Sequence, residues 1–363
     1  MEYIVSARKY RPETFESVVG QEAISTTLKN AIKTGQLAHA FLFCGPRGVG
    51  KTTTARILAR SINCLNPTPD MEACGVCSSC VSFKENNSYS IHEIDAASNN
   101  SVDGIRDLIE QVRIPPQGGK YKIFIIDEVH MLSQQAFNAF LKTLEEPPAY
   151  AKFILATTEK NKILPTILSR CQVFDFKRIG IDDIAGHLQK IADKEGVKYE
   201  AEALNIIAQK ADGALRDALS MFDQLVSFTG NDLSYQKVID NLNVLDYDYF
   251  FKIIDACLNK DVAEVLKIFN NIINNGFDGQ SFIVGLNKHL RSLLVSVDPQ
   301  TVSLIETSTS VREKYVEQAK KTPMKFLIAA MNATNDCDIN YKNSNNKRLF
   351  TELTLLNLVN FFL

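Results

Sequence analysis

Residues 45–52 read Gly45-Pro46-Arg47-Gly48-Val49-Gly50-Lys51-Thr52 and match every defined position of the phosphate-binding loop G-x-x-x-x-G-K-[ST]. The apolar run 40–44 precedes the loop and a helix-like pattern follows it, which is the context that this motif requires. In such loops glycines turn backbone N–H groups towards phosphates, the lysine reaches the β and γ oxygens, and the threonine holds Mg²⁺. We therefore predict a site for ATP and Mg²⁺. Its predicted nucleotide-binding residues are Gly45, Pro46, Gly48, Val49, Gly50, Lys51, Thr52 and Thr53.

The other half of such a site is an acidic residue at the end of an apolar strand. The run 123–126 predicts that strand, and Asp127 and Glu128 follow it. Asp127 would position the magnesium ion with Thr52, and Glu128 would polarise the attacking water. Taken alone, two adjacent carboxylates are as typical of a solvated turn as of a catalytic site. Together with the phosphate loop they favour hydrolysis of ATP over mere nucleotide holding.

The pattern of apolar residues divides the chain into three predicted domains. Strands at 40–44, 123–126 and 153–156 alternate with helical patterns, which predicts a parallel α/β sheet in residues 1–178. Segments 181–195, 201–211 and 214–228 show helical spacing without strand candidates, which predicts a small helical domain at 179–242. Helical spacing continues from Val244 to Leu363, so residues 243–363 form a third, all-helical domain in this prediction.

Four cysteines, Cys64, Cys74, Cys77 and Cys80, have the spacing C-x9-C-x2-C-x2-C within an insertion at 64–80 that lacks helical or strand periodicity. Four thiolates suit tetrahedral zinc and leave no open position, so the predicted zinc is structural. A redox C-x-x-C is the alternative, but it does not account for four cysteines. The remaining four cysteines are isolated among apolar neighbours and are predicted core residues.

Composition limits the possible functions. The 363 residues are 45% apolar and 23% charged, with a formal net charge of −2, so a broad basic surface is excluded. No stretch approaches the length of a membrane span and no signal peptide is visible, so we expect a cytoplasmic protein without membrane contact. The five histidines lack metal spacing or a nearby nucleophile and are read as structural or surface residues.

Further segments resemble, in order along the chain, the motifs of the AAA+ clamp-loader ATPases. They are Arg8-Lys9-Tyr10-Arg11-Pro12 and Val18-Val19-Gly20-Gln21-Glu22 (N-terminal box), Ala156-Thr157-Thr158-Glu159 (first sensor), Ile167-Leu168-Ser169-Arg170-Cys171 (Ser-Arg-Cys motif) and Gly213-Ala214-Leu215-Arg216-Asp217-Ala218 (second sensor). The resemblance covers the whole chain, including the four-cysteine insertion. It implies an AAA+ phosphate-loop domain with a zinc-binding insertion, a helical lid domain and an all-helical collar that oligomerises.

The resemblance also implies roles for single residues. Thr158 would sense the γ-phosphate, Arg216 would reach the nucleotide from the lid of the same subunit, and Arg170 would enter the ATP site of a neighbouring subunit. A buried ion pair is the alternative for Arg170, and an exposed helix residue is that for Arg216. The implied adenine pocket consists of Tyr10, Arg11, Pro12, Val18 and Val19, although the valines could equally be core.

Two further features of the resemblance concern loops. The segment 95–99, leading towards Arg106, resembles a family segment that tracks the DNA backbone, where helix ends and small polar groups bind phosphate. After the two sensor threonines the family commonly has Asp-Pro, whereas this chain has Glu159-Lys160-Asn161-Lys162. We expect the loop beyond the sensor to have a different shape.

Taken together, the resemblance implies a motor subunit of a replicative clamp loader. Such a subunit joins delta-like and delta-prime-like subunits in a hetero-pentameric ring that loads a sliding clamp onto primer-template DNA. Two alternatives are a non-hydrolysing scaffold subunit and an AAA+ DNA-translocating motor. The intact Lys51, Thr52, Asp127 and Glu128 argue against the first. The cysteine insertion and the Ser-Arg-Cys motif argue against the second.

Overall fold

A computed structural model describes residues 4–85, 87–98, 102–242, 245–305, 307 and 309–361. Asn99, Val244 and Leu363, which belong to predicted segments, lie outside these ranges. The chain divides into two compact units, Met1–Glu195 with Lys210–Gln224, and Gly196–Gln209 with Leu225–Leu363. The domain boundaries after residues 178 and 242 stay predictions.

The first unit contains a five-stranded parallel sheet. Its strands are β1 Ala40–Cys44, β2 Ile91–Asp95, β3 Lys122–Asp127, β4 Ala151–Thr157 and β5 Gln172–Asp175, in the spatial order β2-β3-β4-β1-β5. Its helices are α1 Ser6–Lys9, α2 Glu22–Thr34, α3 Lys51–Asn63, α4 Ser78–Lys84, α5 Val102–Val112, α6 Gln134–Glu145, α7 Pro165–Leu168 and α8 Ile181–Glu195, with short 3-10 helices at Val129–Met131 and Lys160–Lys162. The predicted parallel α/β fold is confirmed.

Helices cover both faces of this sheet. Alternate residues of each central strand point to opposite sides, and apolar side chains on both sides need to be buried. One face buries Leu42, Phe124 and Phe153 together with apolar residues of α5 and α6. The other face buries Phe41 and Phe43 with apolar residues of α2 and α3. A strand that is buried on both faces reads as a continuous apolar run, which explains why β1, β3 and β4 were predictable.

Two strands of the sheet were not predicted, β2 and β5. They occupy the two edges of the sheet; their sequences, IHEID and QVFD, contain no apolar run of more than two residues, and most of their residues are at least partly exposed. An edge strand is partly exposed, so its sequence carries no apolar run. The sequence pattern therefore detected only the central strands.

The second unit is mainly helical. Helices α9 Ala201–Lys210 and α10 Leu215–Thr229 extend across the division between the units, and α11 Tyr235–Leu242, α12 Tyr247–Leu258, α13 Val262–Asn274, α14 Gly279–Val295, α15 Thr309–Lys321, α16 Met324–Asn340 and α17 Lys347–Asn360 follow, with 3-10 helices at Val302–Leu304 and Tyr341–Asn343. Its core contains Phe250, Phe269, Phe282 and Phe326.

One detail of the second unit corrects the prediction. Residues 179–242 were predicted to form a small helical domain and offered no strand candidates between the helical segments, but β6 Lys198–Tyr199 and β7 Asp232–Leu233 pair in parallel. Two-residue strands are too short to show a periodicity of two, so the sequence pattern could not reveal them. Across the part of the chain that the structure describes, no helix combines the length and apolar character needed to cross a membrane.

Candidate functional site

The residues of the predicted ATP site meet at the carboxyl edge of the sheet. The phosphate loop follows β1, Asp127 ends β3, and Thr157 ends β4. Since β4 lies between β3 and β1, the ends of these three strands are neighbours. Ligands of open α/β sheets bind in the crevice outside such strand ends.

The phosphate loop wraps around the start of α3. Gly48 and Gly50 have φ of +78° and +101°, a conformation that only glycine adopts without strain. The Lys51 Nζ donates hydrogen bonds to the carbonyl oxygens of Gly45 (2.8 Å) and Pro46 (2.7 Å). Burial lowers the pKa of Lys51, and the nearby carboxylates of Glu128 and Asp127 oppose that shift. The ammonium group is therefore held by the loop itself at the edge of the crevice.

Thr52 and Asp127 form the candidate magnesium site. The Thr52 hydroxyl donates to Oδ2 of Asp127 at 2.6 Å, and the Glu128 N–H donates to Oδ1 at 2.9 Å. The sequence separates the first two residues widely, and the sheet brings them into direct contact. Hydroxyl and carboxylate oxygens are the hard ligands that Mg²⁺ takes alongside phosphate oxygens. The residues present fit this ion, and their role as its ligands stays a prediction.

Glu128 is held by the predicted sensor residue. Its backbone is left-handed, with φ +46°, and its Oε2 accepts from the Thr158 N–H at 3.2 Å and from the Thr158 hydroxyl at 2.9 Å. A non-glycine residue in this conformation is strained and persists only where its surroundings impose it. The carboxylate predicted to polarise water is thus oriented by two donors of one threonine.

His130 is a functional candidate that the sequence did not single out. Its side chain is only 6% exposed, its Nδ1 lies 3.0 Å from the Thr157 hydroxyl and 3.4 Å from Oε2 of Glu128, and its Nε2 lies 3.3 Å from Oε1 of Glu159. Glu159 also pairs with Lys162 at 2.8 Å, in the 3-10 turn that follows the sensor. The imidazole of His130 therefore links Glu159, where the sequence departs from the family pattern, to Glu128.

A cavity of about 840 Å³ opens beside the loop. Five basic side chains and three acidic ones line it, namely Arg8, Arg11, Arg47, Lys51 and Arg216 against Asp95, Asp127 and Glu128. This excess of positive charge suits a polyphosphate. The volume falls in the usual range of small-ligand sites.

The same cavity also has apolar lining residues. Tyr10, Arg11, Pro12, Val18 and Val19, the predicted adenine pocket, all line it. Arg11 also donates from Nε to the Thr53 hydroxyl at 3.2 Å, and burial lowers the pKa of its guanidinium. Further lining residues, absent from the prediction, are Val5, Ala7, Ile179, Leu215 and Leu219. The spacing of Leu215 and Leu219 on one helix was the available signal, and it reads equally well as core.

The two predicted arginines lie in different places. Arg216 lines the cavity, and its backbone N–H lies 3.4 Å from the Gly48 carbonyl oxygen. Arg170 is not among the cavity residues of its own chain. It is one-third exposed and pairs with Glu145 through a 2.7 Å contact to Oε1. That position is compatible with a role towards a neighbouring subunit, which stays a prediction.

The segment that resembles a DNA-tracking element begins at the nucleotide cavity. Asp95 and Ala97 line it, and the Asp95 carboxylate accepts from the Ala97 N–H and the Ser98 hydroxyl, each at 3.0 Å. Asn99 lies outside the described residues. DNA contact by this segment stays a prediction.

The four predicted zinc ligands converge. The sulfurs of Cys64, Cys74, Cys77 and Cys80 all lie within 4.8 Å of one another, and those of Cys64 and Cys77 are 4.0 Å apart. Tetrahedral zinc with bonds of about 2.3 Å places its sulfurs about 3.8 Å apart, so the set fits that ion. Three ligands belong to the loop between α3 and α4, and Cys80 is buried in α4 itself. The predicted insertion thus ends inside a helix.

Backbone groups of the same loop face the sulfurs. The Cys74 N–H donates to the Cys64 sulfur at 3.2 Å, and the Cys77 N–H donates to the Cys74 sulfur at 3.3 Å. Such donors stabilise thiolate over thiol. A thiolate is the form that binds metal, and the convergence of four sulfurs, rather than two, favours the zinc interpretation over a redox pair.

Comparison with protein families follows the same three parts. A family described as "DNA polymerase III, delta subunit" matches residues 20–180. One described as "DNA polymerase III clamp loader subunit, ATPase lid domain" matches 183–231, and "DNA polymerase III subunits gamma and tau domain III" matches 233–362.

Two relatives of 35% and 40% identity agree with these families. DNA polymerase III subunit gamma of Buchnera aphidicola subsp. Baizongia pistaciae is 35% identical over 99% of this chain and 98% of its own length. DNA polymerase III subunit tau of Bacillus subtilis is 40% identical over 99% of this chain, which spans 63% of that relative. The solved RuvB Holliday junction branch migration motor of Thermotoga maritima is 19% identical, with a TM-score of 0.49 over 68% of this chain and 78% of its own.

Proposed function

This chain belongs to the family of DNA polymerase III gamma and tau subunits, and on that premise we propose that it is an ATP-hydrolysing subunit of a clamp loader. One observation carries the hydrolytic part of the proposal. A continuous hydrogen-bonded series runs from Thr52 through Asp127 and Glu128 to Thr158. A subunit that only held nucleotide would have no need of an oriented carboxylate beyond the magnesium ligand.

In the proposed mechanism Lys51 and the N–H groups of the phosphate loop bind the β- and γ-phosphates of ATP. Thr52 and Asp127 would hold Mg²⁺, and a bound ion would supply neutralisation of charge on the phosphates. Glu128 accepts a proton from the attacking water, and the Thr158 hydroxyl and N–H keep its carboxylate in place. Arg216 contacts the nucleotide from the lid side of the cavity.

The partners are part of the proposal. Delta-like and delta-prime-like subunits would complete a hetero-pentameric ring within the DNA polymerase III holoenzyme in the cytoplasm. That ring would load a sliding clamp onto primer-template DNA. Residues 243–363 would form the oligomerisation collar, and the four cysteines would hold a structural zinc ion.

The assembled complex provides the first test. ATP turnover should rise when a purified sliding clamp and primed DNA are added together. A response to DNA without clamp would favour a DNA-translocating motor. If ATP binds but no combination of clamp and DNA stimulates turnover, the result would favour a non-hydrolysing scaffold.

The proposed role of Arg170 towards a neighbouring subunit has a sharp control. Arg170→Ala should leave ATP binding intact and lower stimulated turnover at least a hundredfold, because a guanidinium at a transferring phosphoryl group is worth roughly 10³ or more in rate. Glu145→Ala breaks the same ion pair but keeps the guanidinium. It should therefore retain near-normal turnover. Equal losses in both variants would make the ion pair, rather than a contact across subunits, the reason for the defect.

A further inference from the structure

The N-terminal segment of the chain is hydrogen-bonded to helix α10 through a single carboxylate. The Ser6 N–H donates to Oδ2 of Asp223 at 2.6 Å, and the Ser6 hydroxyl donates to Oδ1. Ser6 is buried and Asp223 is half-buried. Both oxygens of one carboxylate are thus engaged by one residue far away in the sequence. Hydrogen bonds to a charged, partly buried group are among the stronger ones in proteins.

Both partners belong to elements that line the nucleotide cavity. Val5, Ala7 and Arg8, the neighbours of Ser6, form part of one wall. On α10, Arg216 and Leu219 line the cavity at a spacing of three, and Asp223 follows Leu219 at a spacing of four. Residues at those spacings share one face of a helix. The carboxylate therefore ties the face of α10 that carries Arg216 to the part of the cavity lining formed by the neighbours of Ser6.

A second contact of the same segment is weaker. Lys9 Nζ lies 2.5 Å from Oε1 of Glu195 at the end of α8, and the Tyr10 hydroxyl donates to that same oxygen. The Lys9 and Glu195 side chains are 49% and 31% exposed. Exposed ion pairs contribute little to stability because solvent screens them. Of the two contacts, we therefore expect the one with Asp223 to contribute more to holding the N-terminal segment on α10.

We propose that Asp223 is a positioning residue for nucleotide binding, which acts by holding Arg216 at the cavity through Ser6. This proposal rests on the proposed function of the cavity as an ATP site. Without the carboxylate, α10 loses its tie to the N-terminal segment, and Arg216 spends less time where a phosphate can meet it. The expected defect is a weaker affinity for ATP in a folded protein.

The experiment measures equilibrium binding of a fluorescent ATP analogue, with ATP as competitor, to the purified full chain. Asp223→Ala should weaken binding about tenfold, which is the loss of one charge-assisted contact. Ser6→Ala, which keeps the backbone donor, should weaken it about threefold. Asp223→Asn should stay within about threefold of the unmodified chain, because the amide oxygen can accept from the Ser6 N–H while its NH₂ donates to the Ser6 hydroxyl.

A double-mutant cycle with Arg216→Ala separates positioning from general stability. If Asp223 acts through Arg216, adding Asp223→Ala to Arg216→Ala should weaken binding less than twofold further. Multiplying losses would overturn the proposal, as would a lowered unfolding temperature with unchanged affinity. Lys51→Ala tests the site itself. Binding that survives both Lys51→Ala and Arg216→Ala refutes the ATP site, whereas loss in those two but not in Asp223→Ala refutes only the positioning role.

Discussion

Replacing Gly48 by alanine tests how closely the phosphate loop fits its surroundings, and Gly35→Ala is the matched control. The two glycines have φ of +78° and +71°, so an added side chain meets the same backbone strain in both. That strain is about 1–2 kcal/mol for an L-residue. A Cβ at Gly48 would lie 3.1 Å from the Cβ of Ala214 and 3.4 Å from the Cβ of Arg216, whereas one at Gly35 would meet nothing within 4 Å.

The two variants should therefore share a loss of stability and differ in binding. We expect about 1–2 kcal/mol of destabilisation in each, and about 1 kcal/mol more in Gly48→Ala because Ala214 and Arg216 must move aside. The loop and Arg216 both line the cavity, so Gly48→Ala should weaken ATP binding at least tenfold, or about 1.4 kcal/mol. Gly35→Ala should bind ATP normally.

The assay pairs an equilibrium titration with thermal unfolding in the presence and absence of ATP. The unfolding transition whose midpoint temperature rises with ATP belongs to the unit that holds the site. Normal binding by Gly48→Ala would refute the argument from the Ala214 contact. Equal loss of binding in both variants would refute it as well, because left-handed strain would then be the cause.

Three further predictions concern other parts of the molecule. Thr158→Val keeps the side-chain shape and the N–H donor but removes the 2.9 Å hydroxyl contact to Glu128, so single-turnover hydrolysis should fall at least tenfold with ATP binding retained; an unchanged rate would contradict the orienting role. Cys80→Ser should release zinc, measured by elemental analysis, and expose residues 64–80 to protease, whereas a full metal content would argue against the four-thiolate site. His289 is buried between Tyr315 and Gln318, and burial lowers its pKa to about 3. The unfolded chain gains a proton on His289 below about pH 6.5, whereas the folded chain takes up that proton only near pH 3. The free energy of unfolding should therefore fall by about 2 kcal/mol between pH 6.5 and 5. Urea unfolding that shows the same pH slope in His289→Gln would contradict this.

The success of the strand predictions depended on burial. The strands β1, β3 and β4 lie in the middle of the sheet, where helices cover both faces; their residues are almost all buried, and each strand contains an apolar run. The edge strands β2 and β5 alternate or are mostly exposed, and no apolar run marks them. Position within the sheet is a property of the fold, and a local pattern does not report it.

The site shows a similar division. The glycines, Lys51 and Thr52 were predictable because neighbouring residues form the phosphate loop, so their spacing in the sequence is their spacing in space. The four converging cysteines were predictable for the same reason. His130 offered no such signal. Its contact with Glu159 depends on β3 and β4 being neighbours in the sheet.

The sequence by itself determined the phosphate loop, the acidic pair, the four-thiolate cluster and the alternation of strands and helices. Each depends on backbone conformation and side-chain chemistry within a short segment. Only the tertiary structure decided that Thr158 holds Glu128, that Ser6 donates to Asp223 and that Arg170 does not line the cavity of its own chain. Those contacts join distant segments, and the order of strands and the packing of helices select them from many partners of equal chemistry.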